Sequence, residues 1–342
     1  MLRDLGVPYQ ALPLNRLSKA PGDALRFLLG FPVELWLLTR ALGRLSPDVV
    51  HVNGSWQWKG LLAARILKRP VVWHLNDTAM PFPVHRVFRM LARRYPDAFI
   101  VAADRVADYY LHDVAGDRPV TVIDAPVDTA RFDPETAVAD PRVAALPGVR
   151  LVIVGNLNPV KGHDVLLEAV AVLRRRTQAP FSLAVIGPAL DSQPAYARSL
   201  KERARRRGLD MVHFLGGHAA VEQALAASDI YVCASHFEAS PMAVWEAMAM
   251  GLPVVSTDVG DVARLAQATA ALQVVPAGDA EALGTALAQM IERPAPERQA
   301  LGTEARQMAG ARFALASVAA RHAGVYRGLA DGDAPTGHTG GA

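Results

Sequence analysis

Short runs of aliphatic and β-branched residues recur along this chain, and helical patterns separate most of them. The runs fall at 9–14, 48–52, 70–75, 98–102, 120–123, 150–154, 181–186, 212–215, 230–234, 254–257 and 272–275. Most show no in–out alternation, which marks strands buried on both faces of a parallel sheet. Helical spacing fills the gaps, as at 61–67, 163–176 and 280–292. Repeated strand–helix alternation predicts doubly wound α/β architecture.

A chain of 342 residues, 51% of them apolar, supplies material for two such cores. The break is predicted at 125–148, where Pro126, Pro134, Pro141 and Pro147 interrupt any period. The expected domains are 1–135 and 148–312. A helix over 313–330 is expected to pack back toward the first domain, and a Gly/Thr-rich tail, 331–342, to be disordered. The beginning is unusual. Residues 2–6 read as the last turn of a helix with Gly6 just past its end. A doubly wound domain opens with a strand, a tight loop and a helix, so the first domain is expected to lack its opening strand and loop, as in a truncated reading frame or a fragment.

The single cysteine, Cys233, excludes an internal disulfide and is predicted to be inert core, which suits a reducing, cytoplasmic compartment. No secretory signal follows Met1. The most apolar stretch, 24–45, is interrupted by Arg26, Pro32, Glu34 and Arg40, so it does not read as a membrane span. Net charge is +3, with basic clusters at Arg86, Arg89, Arg93 and Arg94, at 174–176 and at 203–207. These are either solvated helix faces or, for the first cluster, attraction to an anionic membrane surface. Phe82, Val87, Phe88, Met90 and Leu91 interleave there. No nucleic-acid module is visible.

Two segments carry chemistry. Glu238 and Glu246 are separated by seven residues in a loop–helix–strand unit. Ser240 is the predicted N-cap, Pro241 the first helical residue, and Gly251 the residue just past the helix end. A helix N-terminus can hold an anion such as a diphosphate. A carboxylate can accept both protons of a vicinal diol. Acidic residues also favour a first helical turn for its dipole, but Glu238 precedes the helix and Glu246 lies beyond that turn. In the second segment, a strand ends at Gly155, and Asn156 and Lys161 lie in the loop before Gly162. Lys161 therefore projects from the carboxyl edge of a parallel sheet, where ligands bind. An ammonium 4 Å from a phosphate charge gains about 4 kcal/mol at an effective dielectric of about 20.

Together these segments resemble the retaining GT-B glycosyltransferases of family four, with their Lys-Gly loop and Glu-x7-Glu signature. Residues 122–132, 212–216 and 70–77 resemble the family's inter-domain turn, its nucleobase-side strand and its sugar-facing strand. The resemblance implies two doubly wound Rossmann-like domains facing each other across a cleft, the N-terminal one incomplete. It implies transfer of a hexosyl group from a UDP-, GDP- or ADP-sugar, with retention, to a glycan or lipid-linked acceptor. In that reading Lys161 neutralises the diphosphate, Glu238 holds sugar hydroxyls and Glu246 holds the ribose. Amides around Pro241, Met242 and Ala243 add the helix end, and Gly155, Asn156 and Gly216 border the donor. No metal and no cofactor are expected. Asn156 and Asn76 stand where the family usually has Arg and His; His74, two residues before Asn76, is either a core histidine or a residue near the reacting centre. A GT-B epimerase or phosphorylase, or a non-catalytic nucleotide-sugar binder, stays open as an alternative.

Overall fold

The computed structural model describes residues 6–15, 21–78, 80–217 and 220–332. The chain forms two compact units. One contains Met1–Ala102, Val106–Ile123 and His322–Ala342; the other contains Ala103–Arg105 and Asp124–Arg321.

In the first unit, β1 (Val50–Asn53), β2 (Val71–Leu75), β3 (Ala98–Val101) and β4 (Val120–Val122) form a parallel sheet in that order. The unalternated runs become strands because both faces are covered: Val71, Val72, Trp73, Leu75 and all of β3 are fully buried. Among the described residues this sheet winds in one direction only, without the strand-order reversal of a doubly wound domain.

The strand predicted at 9–14 does not form; residues 7–15 are irregular and mostly exposed. Pro8 and Pro13 cannot donate to a ladder. The segment is tied down instead at Asn15, whose carbonyl accepts from Lys59 Nζ at 3.2 Å. Lys59 also pairs with Glu34, and both side chains are buried. The predicted helix end at 2–6 lies outside the described residues except for Gly6, whose φ of +65° suits that role. The tail from residue 333 also lies outside them.

The amphipathic helix Phe82–Arg94 joins β2 to β3. Its period corrects the surface reading of the apolar residues there. Phe88 and Leu91 are buried at 0% and 6% exposure, which leaves Val87 and Met90 on the outside. The apolar stretch from residue 24 belongs to the helix Pro21–Leu45, with Pro32 inside it. Among the described residues no helix is long and apolar enough to cross a membrane.

The second unit holds β5 (Val149–Val154), β6 (Phe181–Ile186), β7 (Val212–Gly216), β8 (Ile230–Cys233), β9 (Val254–Thr257) and β10 (Leu272–Val275). All are parallel, in the order β10-β9-β8-β5-β6-β7. The chain moves from β5 to β7 on one side, then returns to the other side of β5 with β8. That reversal is a topological switch point, and the crevice it opens lies at the carboxyl ends of β5 and β8.

The division between units falls at Ile123/Asp124, before the expected residue 135. Val127 explains this. Its amide donates to Phe313 O at 2.7 Å, and its carbonyl accepts from Leu315 N at 3.1 Å. Val127 and Phe132 are both buried in the second unit's core. Phe313 in turn stacks on Trp245 with ring centroids 4.3 Å apart.

Candidate donor site

The loop after β5 and the loop after β8 meet at the switch point. Asn158 opens the first loop's 3-10 turn, Pro159–Lys161, by accepting from Val160 N at 2.9 Å. Gly162 follows with φ +62° and precedes the helix His163–Arg176. The second loop is fastened to the first by His236 N donating to Val160 O at 2.8 Å.

These contacts bring Lys161 Nζ to 2.5 Å from Glu238 Oε1. The same oxygen accepts from Ser235 Oγ at 2.9 Å. Both backbone ends of that loop are held: Thr257 Oγ1 donates to Ser235 O at 2.7 Å, and Gly260 N donates to Glu238 O at 3.0 Å. Lys161, Ser235, Glu238, Pro241, Ala243 and Cys233 line one small pocket. Cys233 is a free, buried thiol that shares this pocket wall.

The helix end differs from its sequence reading. The helix runs Met242–Ala249 and Pro241 is its N-cap, not its first residue. Ser240 does not cap it. Its hydroxyl oxygen instead accepts from Trp245 Nε1 at 3.1 Å and from Ala125 N at 3.3 Å. Pro241 has no amide hydrogen, and Met242 N donates to Ser240 O at 2.9 Å. Of Pro241, Met242 and Ala243, Ala243 alone keeps an amide hydrogen without a partner among the described residues.

Glu246 is half-buried inside the helix, away from the lining of the Lys161 pocket. Burial pushes its carboxyl up to about 7, the positive charge of Arg131 pulls it down, and Glu222 pushes it up. Arg131 and Glu222 are themselves paired at 2.8 Å. Gly155 follows β5 beside the Lys161 stem, which its missing Cβ would meet at 3.4 Å. Asn156 is exposed in the same loop. Gly216, with φ +77°, closes β7 and accepts from Gly187 N at 2.8 Å. It lies along the same sheet edge, but β6 stands between it and β5.

His163, next to the Lys-Gly pair, is 2% exposed, and neither ring nitrogen reaches a well-formed partner. Burial pushes it down to about 4. In the first unit, the His74 ring packs against His51 and His322 at centroid distances of 5.3 and 5.7 Å. Asn76 Nδ2 donates to Asn53 Oδ1 at 3.0 Å.

Ser235 and Arg131 were not singled out from sequence. Ser235 could have been found as the hydroxyl three residues before Glu238, at the end of a strand. Arg131 lies within the turn at 122–132, but its nearness to Glu246 has no local signature.

The chain resembles known proteins in sequence and in fold. The family described as Glycosyl transferases group 1 matches residues 146–308, and Glycosyltransferase Family 4 matches residues 6–131. The lipopolysaccharide core biosynthesis mannosyltransferase LpsB of Rhizobium meliloti is 30% identical over 264 residues, covering 67% of this chain and 72% of that protein. A D-inositol 3-phosphate glycosyltransferase of Saccharomonospora viridis is 34% identical over 175 residues, 48% of this chain and 40% of that protein. A glycosyltransferase structure from Rickettsia africae superposes with TM-score 0.79 at 18% identity, over 96% of this chain and 86% of that one. Anabaena Alr3699/HepE, solved with UDP and glucose, superposes with TM-score 0.74 at 22% identity, over 94% and 86%.

Proposed function

Because the chain belongs to the group 1 glycosyl transferases of family four, with the GT-B fold, and is a glycosyltransferase of nucleotide sugars, we propose that it moves a hexosyl group with retention of anomeric configuration. The donor is a UDP-, GDP- or ADP-sugar. The acceptor is a glycan or lipid-linked glycan of cell-surface polysaccharide or glycolipid synthesis.

The observation that carries this reading is the meeting of Lys161 and Glu238 at the switch point of the second sheet. Lys161 faces the diphosphate, and Glu238 accepts from sugar hydroxyls. The Ala243 amide adds a donor at the helix end, and Glu246 accepts from the ribose. Departure of the sugar through an oxocarbenium-like transition state builds negative charge on the diphosphate. A fixed cation aimed at that charge favours the transition state over the ground state. Asn156, in place of an arginine, leaves Lys161 as the principal charge of this loop. His74 and Asn76 stand on the acceptor side.

The arginine-rich helix Phe82–Arg94 supports a place on the inner face of the cytoplasmic membrane. It presents Arg86, Val87 and Met90 outward, while Arg89 and Arg93 pair with Asp113.

A thermal-shift panel of UDP-, GDP- and ADP-sugars tests the function. The correct donor at a hundred times its Kd adds about 2.7 kcal/mol of stability. No shift with any nucleotide sugar would end this reading.

A further inference from the structure

Lys161 and Glu238 neutralise each other. Nζ lies 2.5 Å from Oε1, with the side chains 28% and 17% exposed. Partial burial weakens solvent screening, so the pair is held more firmly than a surface pair. The carboxylate is also anchored, since Ser235 Oγ donates to the same oxygen and Gly260 N holds the Glu238 carbonyl.

Resting on the function proposed above, we propose that this pair makes Glu238 a specificity determinant that favours an intact nucleotide sugar over the nucleoside diphosphate left after transfer. An incoming diphosphate competes with Glu238 for Lys161. It also brings a second anion toward the carboxylate. When the sugar is present, its hydroxyls donate to the carboxylate oxygens that the lysine gives up. When the sugar is gone, nothing replaces the lysine, and two like charges face each other. The side chain that holds the sugar thus also promotes release of the product.

The test is calorimetric binding of UDP, GDP and ADP, and of their glucose conjugates, to the full chain and to its Glu238→Gln variant. Glutamine keeps the shape and one acceptor but removes the charge. Bare diphosphate is expected to bind about tenfold tighter to the variant, while the conjugate gains nothing, so the preference for conjugate falls. Unliganded melting curves check that the variant is folded. An unchanged preference overturns the inference and leaves the proposed function standing. Failure of the wild-type chain to bind any of these ligands removes the proposed function, and the inference with it.

Discussion

The Cβ that Gly162 lacks would stand 1.9 Å from the carbonyl oxygen of Ala234. Gly162 carries the chain, at φ +62°, from the turn bearing Lys161 into the helix His163–Arg176. Ala234 follows β8 and leads into the loop bearing Glu238. The two loops come together because one residue between them has no side chain.

Gly162→Ala therefore meets both a left-handed backbone and a fixed carbonyl. It should cost at least ~2 kcal/mol of stability and weaken donor binding together with it. Chemical denaturation measures the first and calorimetry the second. A variant as stable as the parent would mean that the loops do not pack this closely.

Lys161→Ala should lower kcat/KM on the order of a hundredfold or more, the scale for removing one preorganised charge from a leaving group. Melting curves check that the variant stays folded, since losing the lysine leaves the partly buried Glu238 carboxylate with the Ser235 hydroxyl as its donor. Steady-state kinetics with the identified donor decide the matter, and full turnover would remove Lys161 from the site.

Glu246 should make donor binding pH-dependent. Its carboxyl is raised to about 7 by burial, and the ionised form is the better acceptor for ribose hydroxyls. The donor KM should fall as pH rises through about 7. Arg131→Met should move that midpoint upward, by removing the charge that favours ionisation. Stability runs the opposite way. A raised folded pKa gives stability that is present below the ordinary 4.5 and lost as pH rises through about 7. Glu246→Gln should flatten both profiles; a KM profile with the same midpoint in that variant would assign the titration elsewhere.

His74 should contribute an acid limb. Burial, then the neighbouring His51 and His322, push it down to about 4 from 6.5. Burial lowers His51 as well. Tyr326, which hydrogen-bonds His51 Nδ1 at 2.7 Å, completes the cluster. A depressed folded pKa gives stability that is present above 6.5 and lost as pH falls toward about 4. Unfolding midpoints across that window should decline less steeply in His74→Asn than in the parent. Parallel slopes would show that the imidazole cluster is not the source.

Local pattern made most of this molecule legible. β2, β3, β6 and β9 stand within a residue of their predicted limits, because unalternated β-branched runs bounded by turns have few other uses. The 9–14 run misled, since its aliphatic residues outweighed Pro13 within it and Pro8 just before it, neither of which can donate to a ladder. Ser240 misled for another reason. It has the right chemistry and spacing for an N-cap, but Trp245 and Ala125 use its hydroxyl. Phe88 and Leu91 interleave with the basic cluster in sequence, but helical period turns them inward.

The sequence by itself determined the class of elements, their order, and which residues could bear charge toward a ligand: Lys161, Glu238 and Glu246. These follow from short-range periodicity, turn chemistry and side-chain type. Tertiary structure alone decided that β8 pairs with β5, that Lys161 therefore meets Glu238, and that Glu246 is buried enough to titrate near neutrality. Strand pairing and burial join residues far apart along the chain, and no local pattern encodes which distant partner each will find.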